Sequence, residues 1–332
     1  MEATPRLLVI VNNVAANARR AWPTVEEVLK RSNIKFDVHV TKRAGDATVA
    51  ARAALREGYE VIAVVGGDGT LSEAAAGFFV MDEADAARDV PLQVKKDAVL
   101  ALLPAGTGDD FARGLKGGRE PLRAWLSSLV SYCRKPDKKR TRIVDVIYGC
   151  ASGASSDAEM NRFICLNVVT IGLGAEVAGR VGAQGRILQS LPGEARFVAA
   201  ACGALAAWRE RAVSIRADEV EAIECRSNLL AVANGVYAGG GMMFAPAARV
   251  DDGQLDVLIS CDIKRATILR ELPRIRRGAH LENPKVRAMQ AKSVSIETAG
   301  GKDALPVEAD GNVRGVTPAR FRIVEGALRV VL

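Results

Sequence analysis

Five consecutive apolar residues, Val61-Ile62-Ala63-Val64-Val65, run directly into Gly66-Gly67-Asp68-Gly69-Thr70, and Leu71-Ser72-Glu73-Ala74-Ala75-Ala76 leads away. An apolar run of this length with a β-branched bias reads as a strand covered on both faces, which belongs in a parallel sheet. The exit reads as a helix, with Thr70 and Glu73 spaced as a capping box. Strand, glycine turn and helix N-terminus together form an anion site, because the first N–H groups of a helix lack internal partners. Three glycines let that backbone approach a phosphate closely. Asp68 is out of place beside phosphates unless a cation lies between. The competing reading is a tight turn in which Asp68 and Thr70 serve only as caps.

The arrangement returns once. The apolar stretch Ala98–Leu103 is followed by Pro104-Ala105-Gly106-Thr107-Gly108-Asp109-Asp110-Phe111-Ala112-Arg113. Thr107 offers a hydroxyl, and Asp109 and Asp110 join Asp68 as hard oxygen ligands suited to Mg²⁺. Either aspartate could instead cap the helix that follows.

Upstream, Leu7–Val11 reads as a buried strand ending in Asn12-Asn13, followed by a helix over residues 20–31 with Pro23 in its first turn. Ile34, Phe36, Val38 and Val40 alternate with Lys35, Asp37, His39 and Thr41, which predicts a strand with one wet face. Asp46 is placed to cap a helix that closes at Gly58. The helix after Thr70 is expected to reach about Val80, and Asp82–Asp97 reads as a surface excursion. Strands alternating with helices argue an open, doubly wound α/β sheet, whose ligands lie outside the carboxyl ends of the strands.

At 332 residues the chain suits two domains. The basic stretch Arg134–Arg142 marks a boundary, giving an α/β domain over residues 1–138 and a β-rich domain over 139–317. The β segments of the second half are Ile143–Tyr148, Phe163–Ile171, Val213–Arg216, Leu229–Val236, Leu255–Cys261, Val286–Thr298, Leu305–Ala309 and Phe321–Leu332. Helices interrupt them near Glu194–Arg209 and Lys264–Arg277, so a mostly antiparallel domain is expected.

The six cysteines show no CxxC pair and read as reduced thiols of a cytoplasmic protein. The first strand leaves no room for a signal peptide, and the apolar stretch Phe197–Trp208 is too short to span a bilayer. A net charge of +7 suits an anionic partner. Sparse aromatics without basic interleaving argue against nucleic acid. The dinucleotide, Walker and protein-kinase signatures are absent. Of the two histidines, His39 reads as a surface residue and neither adjoins a motif, so histidine-based nucleophilic schemes find no support.

The two glycine turns resemble the nucleotide-binding motifs of the diacylglycerol kinase catalytic-domain family, which includes bacterial lipid kinases and sphingosine kinases. The likeness continues through Thr170-Ile171-Gly172-Leu173-Gly174-Ala175-Glu176 and through Asn234–Met242 with Ala245-Pro246. It ends with Asp251-Asp252-Gly253-Gln254-Leu255-Asp256-Val257 and Glu308-Ala309-Asp310-Gly311. The matches run in the family's order from the first strand to the C-terminus.

This resemblance implies an ATP-dependent kinase that phosphorylates a lipid hydroxyl, with diacylglycerol-type substrates favoured. An N-terminal open α/β nucleotide-binding domain and a C-terminal β-sandwich-like domain would flank an active site in the interdomain cleft. The last strand, from about residue 318 to 332, would pack back on the first domain. Carried over by motif, Asn12, Thr41, Gly66, Gly67, Asp68, Gly69, Thr70, Ser72, Gly106 and Thr107 would hold the nucleotide. Asp68 and Asp110, joined by Asp109, would organise the catalytic Mg²⁺. Asp310 would take the proton of the attacking hydroxyl. A second, structural cation would fall on Asp252 with the carbonyls of Arg249 and Gln254.

The chain departs from the family in three places. Asn12-Asn13-Val14-Ala15-Ala16-Asn17 lacks the usual proline and glycine, Asp109 replaces the usual asparagine, and Asn312 stands where the family usually carries glutamate. Two other readings therefore stay open: an NAD kinase-like enzyme, which shares the GGDG turn, and a catalytically weak nucleotide-binding membrane adaptor.

On the lipid side, Ile187, Leu188, Leu191, Phe197, Val198 and Leu205 could line an acyl cleft or simply be core. Lys264–Arg277 mixes Ile268, Leu269, Leu272 and Ile275 with Lys264, Arg265, Arg270, Arg274, Arg276 and Arg277. It could lie on anionic lipid, giving a cytoplasmic protein with peripheral membrane association, or pack by one face.

Overall fold

The computed structural model describes residues 4–81, 90–153, 160–182, 200, 203–299 and 303–332. The chain divides into two compact units, Met1–Val146 with Val324–Leu332, and Ile147–Ile323. The division falls within a strand, beyond the basic stretch.

The first unit is built on four parallel strands, β1 (Leu7–Asn12), β2 (Phe36–Thr41), β3 (Val61–Gly66) and β6 (Val99–Pro104), in the order β2-β1-β3-β6. Every residue of β3 is buried, because strands flank it on both sides and helices cover it. These helices include α1 (Ala16–Arg31) and α3 (Asp68–Ala76). Among the described residues the other α-helices of this unit are α2 (Asp46–Arg56), α4 (Asp110–Lys116) and α5 (Leu122–Arg134). A two-residue ribbon joins β4 (Phe79–Val80) to β5 (Leu92–Gln93). The end of the last strand adds parallel to β6, pairing Arg329 with Val99.

Several local expectations change. Helix α1 begins a turn earlier than predicted, and Pro23 sits inside it. The Asn12 carboxamide oxygen takes the amides of Val14 and Ala15, which turns the chain sooner. Asp46 does not cap α2: it is the first helical residue after Gly45, and its carboxylate accepts the Lys42 and Arg43 amides. There is no Thr70–Glu73 capping box, since α3 already begins at Asp68. The Thr70 hydroxyl bonds Asn12, and Glu73 accepts the Gly45 amide. Helix α3 stops at Ala76, and Phe79–Val80 is extended. In β2 the predicted faces do not hold: Val38 and Val40 are exposed, His39 is half-buried and Thr41 is buried. As the edge strand, β2 has a neighbour on one side only.

In the second unit the antiparallel order is β15-β14-β11-β10-β16-β18. These are β10 (Arg211–Ala217), β11 (Ile223–Ala233), β14 (Leu255–Cys261), β15 (Val286–Ala291), β16 (Ser293–Thr298) and β18 (Asn312–Val331). β7 (Thr141–Ser152) pairs with β8 (Met160–Cys165). β9 (Val168–Gly172) lies between β11 and β17 (Pro306–Ala309), and a short ribbon joins β12 (Tyr237–Ala238) to β13 (Met242–Met243). The segment Phe163–Ile171, expected as one strand, is broken at Leu166-Asn167, and Val286–Thr298 is broken at Lys292. Alternate residues of β9, β10, β11, β14, β16 and β17 build the core, among them Val169, Ile171, Ile215, Val232, Val257, Ile259, Ile296 and Val307.

The helices described in this unit include α6 (Leu173–Gly182) and α7 (Arg265–Ile275), and residues 203–207, within the expected Glu194–Arg209 helix, are helical as well. On α7, Ile268 packs against the core and Ile275 is buried, while Arg274 pairs with Glu271 and Glu282. The apolar face of this helix therefore turns inward, and Lys264, Arg270, Arg276 and Arg277 remain exposed. Leu205 is core, whereas Ile187, Leu188, Leu191, Phe197 and Val198 lie outside the described residues. The described cysteines are free thiols; Cys202 lies outside the described residues. Among the described residues, no helix is long and apolar enough to cross a membrane.

Candidate active site

The carboxyl ends of β2, β1, β3 and β6 bring most of the predicted nucleotide residues together. Asn12 and Thr41 are register partners at the ends of β1 and β2. The Asn12 amide donates to the Thr70 hydroxyl at 2.7 Å, tying the first strand to the glycine turn. Gly66 ends β3 opposite Pro104 of β6, and the Ala105 amide bonds the Gly66 carbonyl at 2.9 Å. At Gly67 and Gly106 the two turns meet backbone to backbone: a Cβ on Gly106 would stand 2.6 Å from the Gly67 Cα. No other residue type allows that approach. Thr107 is exposed beside it and Gly69 is half-buried, whereas Ser72 is fully buried within α3.

The three aspartates have distinct surroundings. Asp68 accepts the amides of Asp110 and Phe111, both at 3.0 Å, so it caps α4 rather than its own helix. Asp109 adopts a left-handed backbone, with φ of 50°. Its carboxylate accepts the Gly106 amide at 2.8 Å and faces Arg119 at 3.6 Å. Burial pushes the Asp109 carboxyl above its ordinary range, against the pull of the Gly106 amide. Asp110 is buried at the start of α4.

Among the described residues, no group of three or more His, Cys, Asp or Glu side chains is disposed to hold a metal ion. Mg²⁺ asks for less, since it keeps several waters and takes one or two carboxylates plus phosphate oxygens. Asp68 and Asp110 supply hard oxygen donors of that kind, and Asp109, like Asp68 already bonded to backbone amide, differs in facing a guanidinium. Arg119 was not singled out in the sequence, where its distance from both turns hides its contact. A groove of about 490 Å³ flanks the second turn, lined by Asn17, Gly106, Asp109, Arg113, Arg119 and Trp125 among others.

In the second unit, Asp310 occupies the two-residue turn between β17 and β18. Its carboxylate accepts the amides of Leu166 at 2.7 Å, Asn167 at 3.1 Å and Val168 at 3.3 Å. The 166–167 turn is itself held from a distance. Asn234 donates to the Leu166 carbonyl at 2.8 Å, and Asn167 donates to the Tyr237 carbonyl. A Cβ on Gly235 would lie 1.9 Å from the Asn167 side-chain oxygen, so any larger residue there would displace that side chain. The motif residues 234–235 and 310 thus converge on one turn.

At the predicted structural cation site, Asp252 accepts the Gln254 amide at 3.1 Å, and Arg249 pairs with Asp251 at 3.5 Å. Asp256 was missed. One of its carboxylate oxygens is buried without a hydrogen-bond partner, and burial, followed by the charge of Asp252, pushes its carboxyl up to about 6. A cation there would satisfy that oxygen, so the donor set fits.

Comparison with known proteins shows the family of the chain. Residues 6–139 match the diacylglycerol kinase catalytic domain, and residues 167–332 match the YegS C-terminal NAD kinase beta sandwich-like domain. A diacylglycerol kinase of Staphylococcus carnosus is 27% identical over 91% of this chain and 86% of its own length. The "Probable lipid kinase YegS-like" of Chromohalobacter salexigens is 31% identical over 92% of this chain and 88% of its own. A crystal structure of a diacylglycerol kinase from Bacillus anthracis shares the fold, with a TM-score of 0.63 at 20% identity, covering 100% of this chain and 97% of that one. The chain belongs to the diacylglycerol kinase catalytic-domain family and, within it, resembles the YegS-like lipid kinases. It is a kinase of the lipid-kinase group.

Proposed function

We propose that this protein transfers the γ-phosphate of ATP to a hydroxyl of a diacylglycerol-type lipid. The observation that carries this reading is the backbone contact of Gly67 with Gly106. It sets two glycine turns side by side at the carboxyl ends of adjacent strands, with amide donors suited to a polyphosphate. Asn12, Thr41, Gly66, Gly67, Gly69, Thr70, Gly106 and Thr107 bind and orient the nucleotide, and Ser72 of the same motif is fully buried in α3. Asp68 and Asp110 would hold Mg²⁺, which neutralises phosphate charge when bound. Asp252 and Asp256, with the carbonyls of Arg249 and Gln254, would hold the structural cation.

In the transfer, the lipid hydroxyl oxygen forms a bond to the γ-phosphorus as the bond from that phosphorus to the β–γ bridging oxygen breaks. ADP leaves with the bonding electrons, and the hydroxyl proton passes to the Asp310 carboxylate. The exposed cations Lys264, Arg270, Arg276 and Arg277 would draw the protein to anionic lipid.

The test is a lipid-extract screen with purified protein, Mg²⁺ and γ-labelled ATP. Label on a diacylglycerol-type product, lost in Asp310→Asn, supports the proposal. Label on NAD assigns the protein to the NAD kinase-like reading. Nucleotide binding with no transfer to any lipid supports the adaptor.

A further inference from the structure

Glu308 is a buried acid that the transfer scheme leaves unused, and it stands two residues from Asp310. β17 and β18 are joined by Asp310-Gly311 alone, with Ala309 paired to Asn312. Both turn residues have positive φ, 48° and 87°, which is the mirror-image hairpin turn that favours Asp-Gly. Such a turn forms without help from neighbours. Glu308 nevertheless grips it: one carboxylate oxygen accepts the Gly311 amide, and the other accepts the Thr170 hydroxyl at 2.6 Å. Thr170 lies directly opposite on β9, in register with Glu308. A buried carboxylate destabilises a fold unless its oxygens are bonded, so a hairpin needing only stability has little use for one here.

We propose that Glu308 is a positioning residue for Asp310: by holding the Gly311 amide and the Thr170 hydroxyl, it fixes the direction of the Asp310 carboxylate. This role rests on Asp310 being the base described above. The ionised form accepts both bonds at once. The protonated form has to turn its own O–H toward Thr170, which displaces the Thr170 hydrogen and loosens the turn. Burial pushes the Glu308 carboxyl up to about 7 against the pull of Thr170 and Gly311, with the Asp310 charge adding to the rise. The other charged or titratable groups around it are Arg314 on its hairpin, the Cys165 thiol at the end of β8, and the Glu176–Arg180 pair on α6, which packs against β17.

The experiment measures kcat, KM for ATP and the pH profile for Glu308→Ala, Glu308→Gln, Thr170→Val and Asp310→Asn, with folding checked by circular dichroism. Glu308→Ala is expected to lower kcat about tenfold or more with KM for ATP within about twofold. An amide at 308 can accept from Gly311 and donate to Thr170. Glu308→Gln therefore reproduces the protonated acid at every pH: kcat is expected to stay at the low acid-side value, without the rise in activity through neutral pH. Thr170→Val removes a donor that holds the carboxyl down, so that rise moves to higher pH. A wild-type kcat in folded Glu308→Ala overturns the proposal, and so do unchanged pH profiles in both Glu308→Gln and Thr170→Val. If Glu308→Ala does not fold, those two profiles decide. Full activity in Asp310→Asn instead removes the base assignment, whereas a dead Asp310→Asn beside silent Glu308 variants removes the positioning role alone.

Discussion

The Asp68 carboxylate bonds the Asp110 amide at 3.0 Å, so the acid of the first glycine turn caps the helix that follows the second. The contact spans 42 residues of sequence and makes one unit of two motifs that look independent along the chain. It gives Asp68 a structural duty beside its proposed metal duty, and the two can be separated.

Asp68→Asn keeps one acceptor for the α4 amides and loses the charge. Its stability is expected to fall by about 1 kcal/mol or less, read by chemical denaturation. Phosphoryl transfer is expected to fall by roughly two orders of magnitude or more, because the proposed Mg²⁺ site would lose a ligand. Asp68→Ala should lose the cap as well, at about 1–2 kcal/mol.

Gly106→Ala brings a methyl group to 2.6 Å from the Gly67 Cα and 2.7 Å from the Asp109 carboxylate. The backbone of one turn must move away. Destabilisation of about 1–3 kcal/mol is expected, together with weakened ATP binding measured by calorimetry. Retention of wild-type ATP affinity would separate the two-turn contact from nucleotide binding.

Asp109→Asn restores the residue usual in the family. An asparagine oxygen still accepts the Gly106 amide, and asparagine tolerates the left-handed backbone. The exposed Arg119 pair it gives up is worth little, about 0–1 kcal/mol. The Mg²⁺ concentration needed for half-maximal transfer should therefore be unchanged; a clear increase would make Asp109 a metal ligand.

The stability contributed by two buried carboxyls should fall as pH rises toward neutrality. Glu308 and Asp256 are raised to about 7 and about 6 in the folded protein, against roughly 4.3 and 3.9 in an unfolded chain. Between the unfolded and folded values the native state keeps protons the unfolded chain has released, so the contribution of these two groups is greatest below about pH 4 and is lost as they ionise. Asp46 and Asp218, whose carboxyls are held low by hydrogen bonds, act in the opposite direction. The Glu308 share is on the order of 1–3 kcal/mol. Glu308→Gln should flatten that part of the decline, read as melting temperature between acid and neutral pH. An unchanged slope would refute the raised value.

What could be read early was what local chemistry dictates. An apolar run followed by glycines specifies a buried strand and a turn, and the alternation of such units specifies the parallel sheet of the first unit. Cap assignments were less secure, because Thr70, Glu73 and Asp46 all had closer competitors in space than in sequence. The faces of β2 were misjudged for a related reason: alternation reveals two faces but cannot say that the strand lies at an edge.

The amino-acid order alone therefore determined the two glycine turns, the α/β character of the first half, and a strand, Leu305–Ala309, leading to Asp310. Tertiary structure alone decided that Gly67 meets Gly106, that Asp68 caps a distant helix, and that Glu308 and Thr170 brace the Asp310 turn. These contacts join residues 39 to 138 positions apart, and a hydrogen bond between distant strands leaves no periodicity for a linear reading to detect.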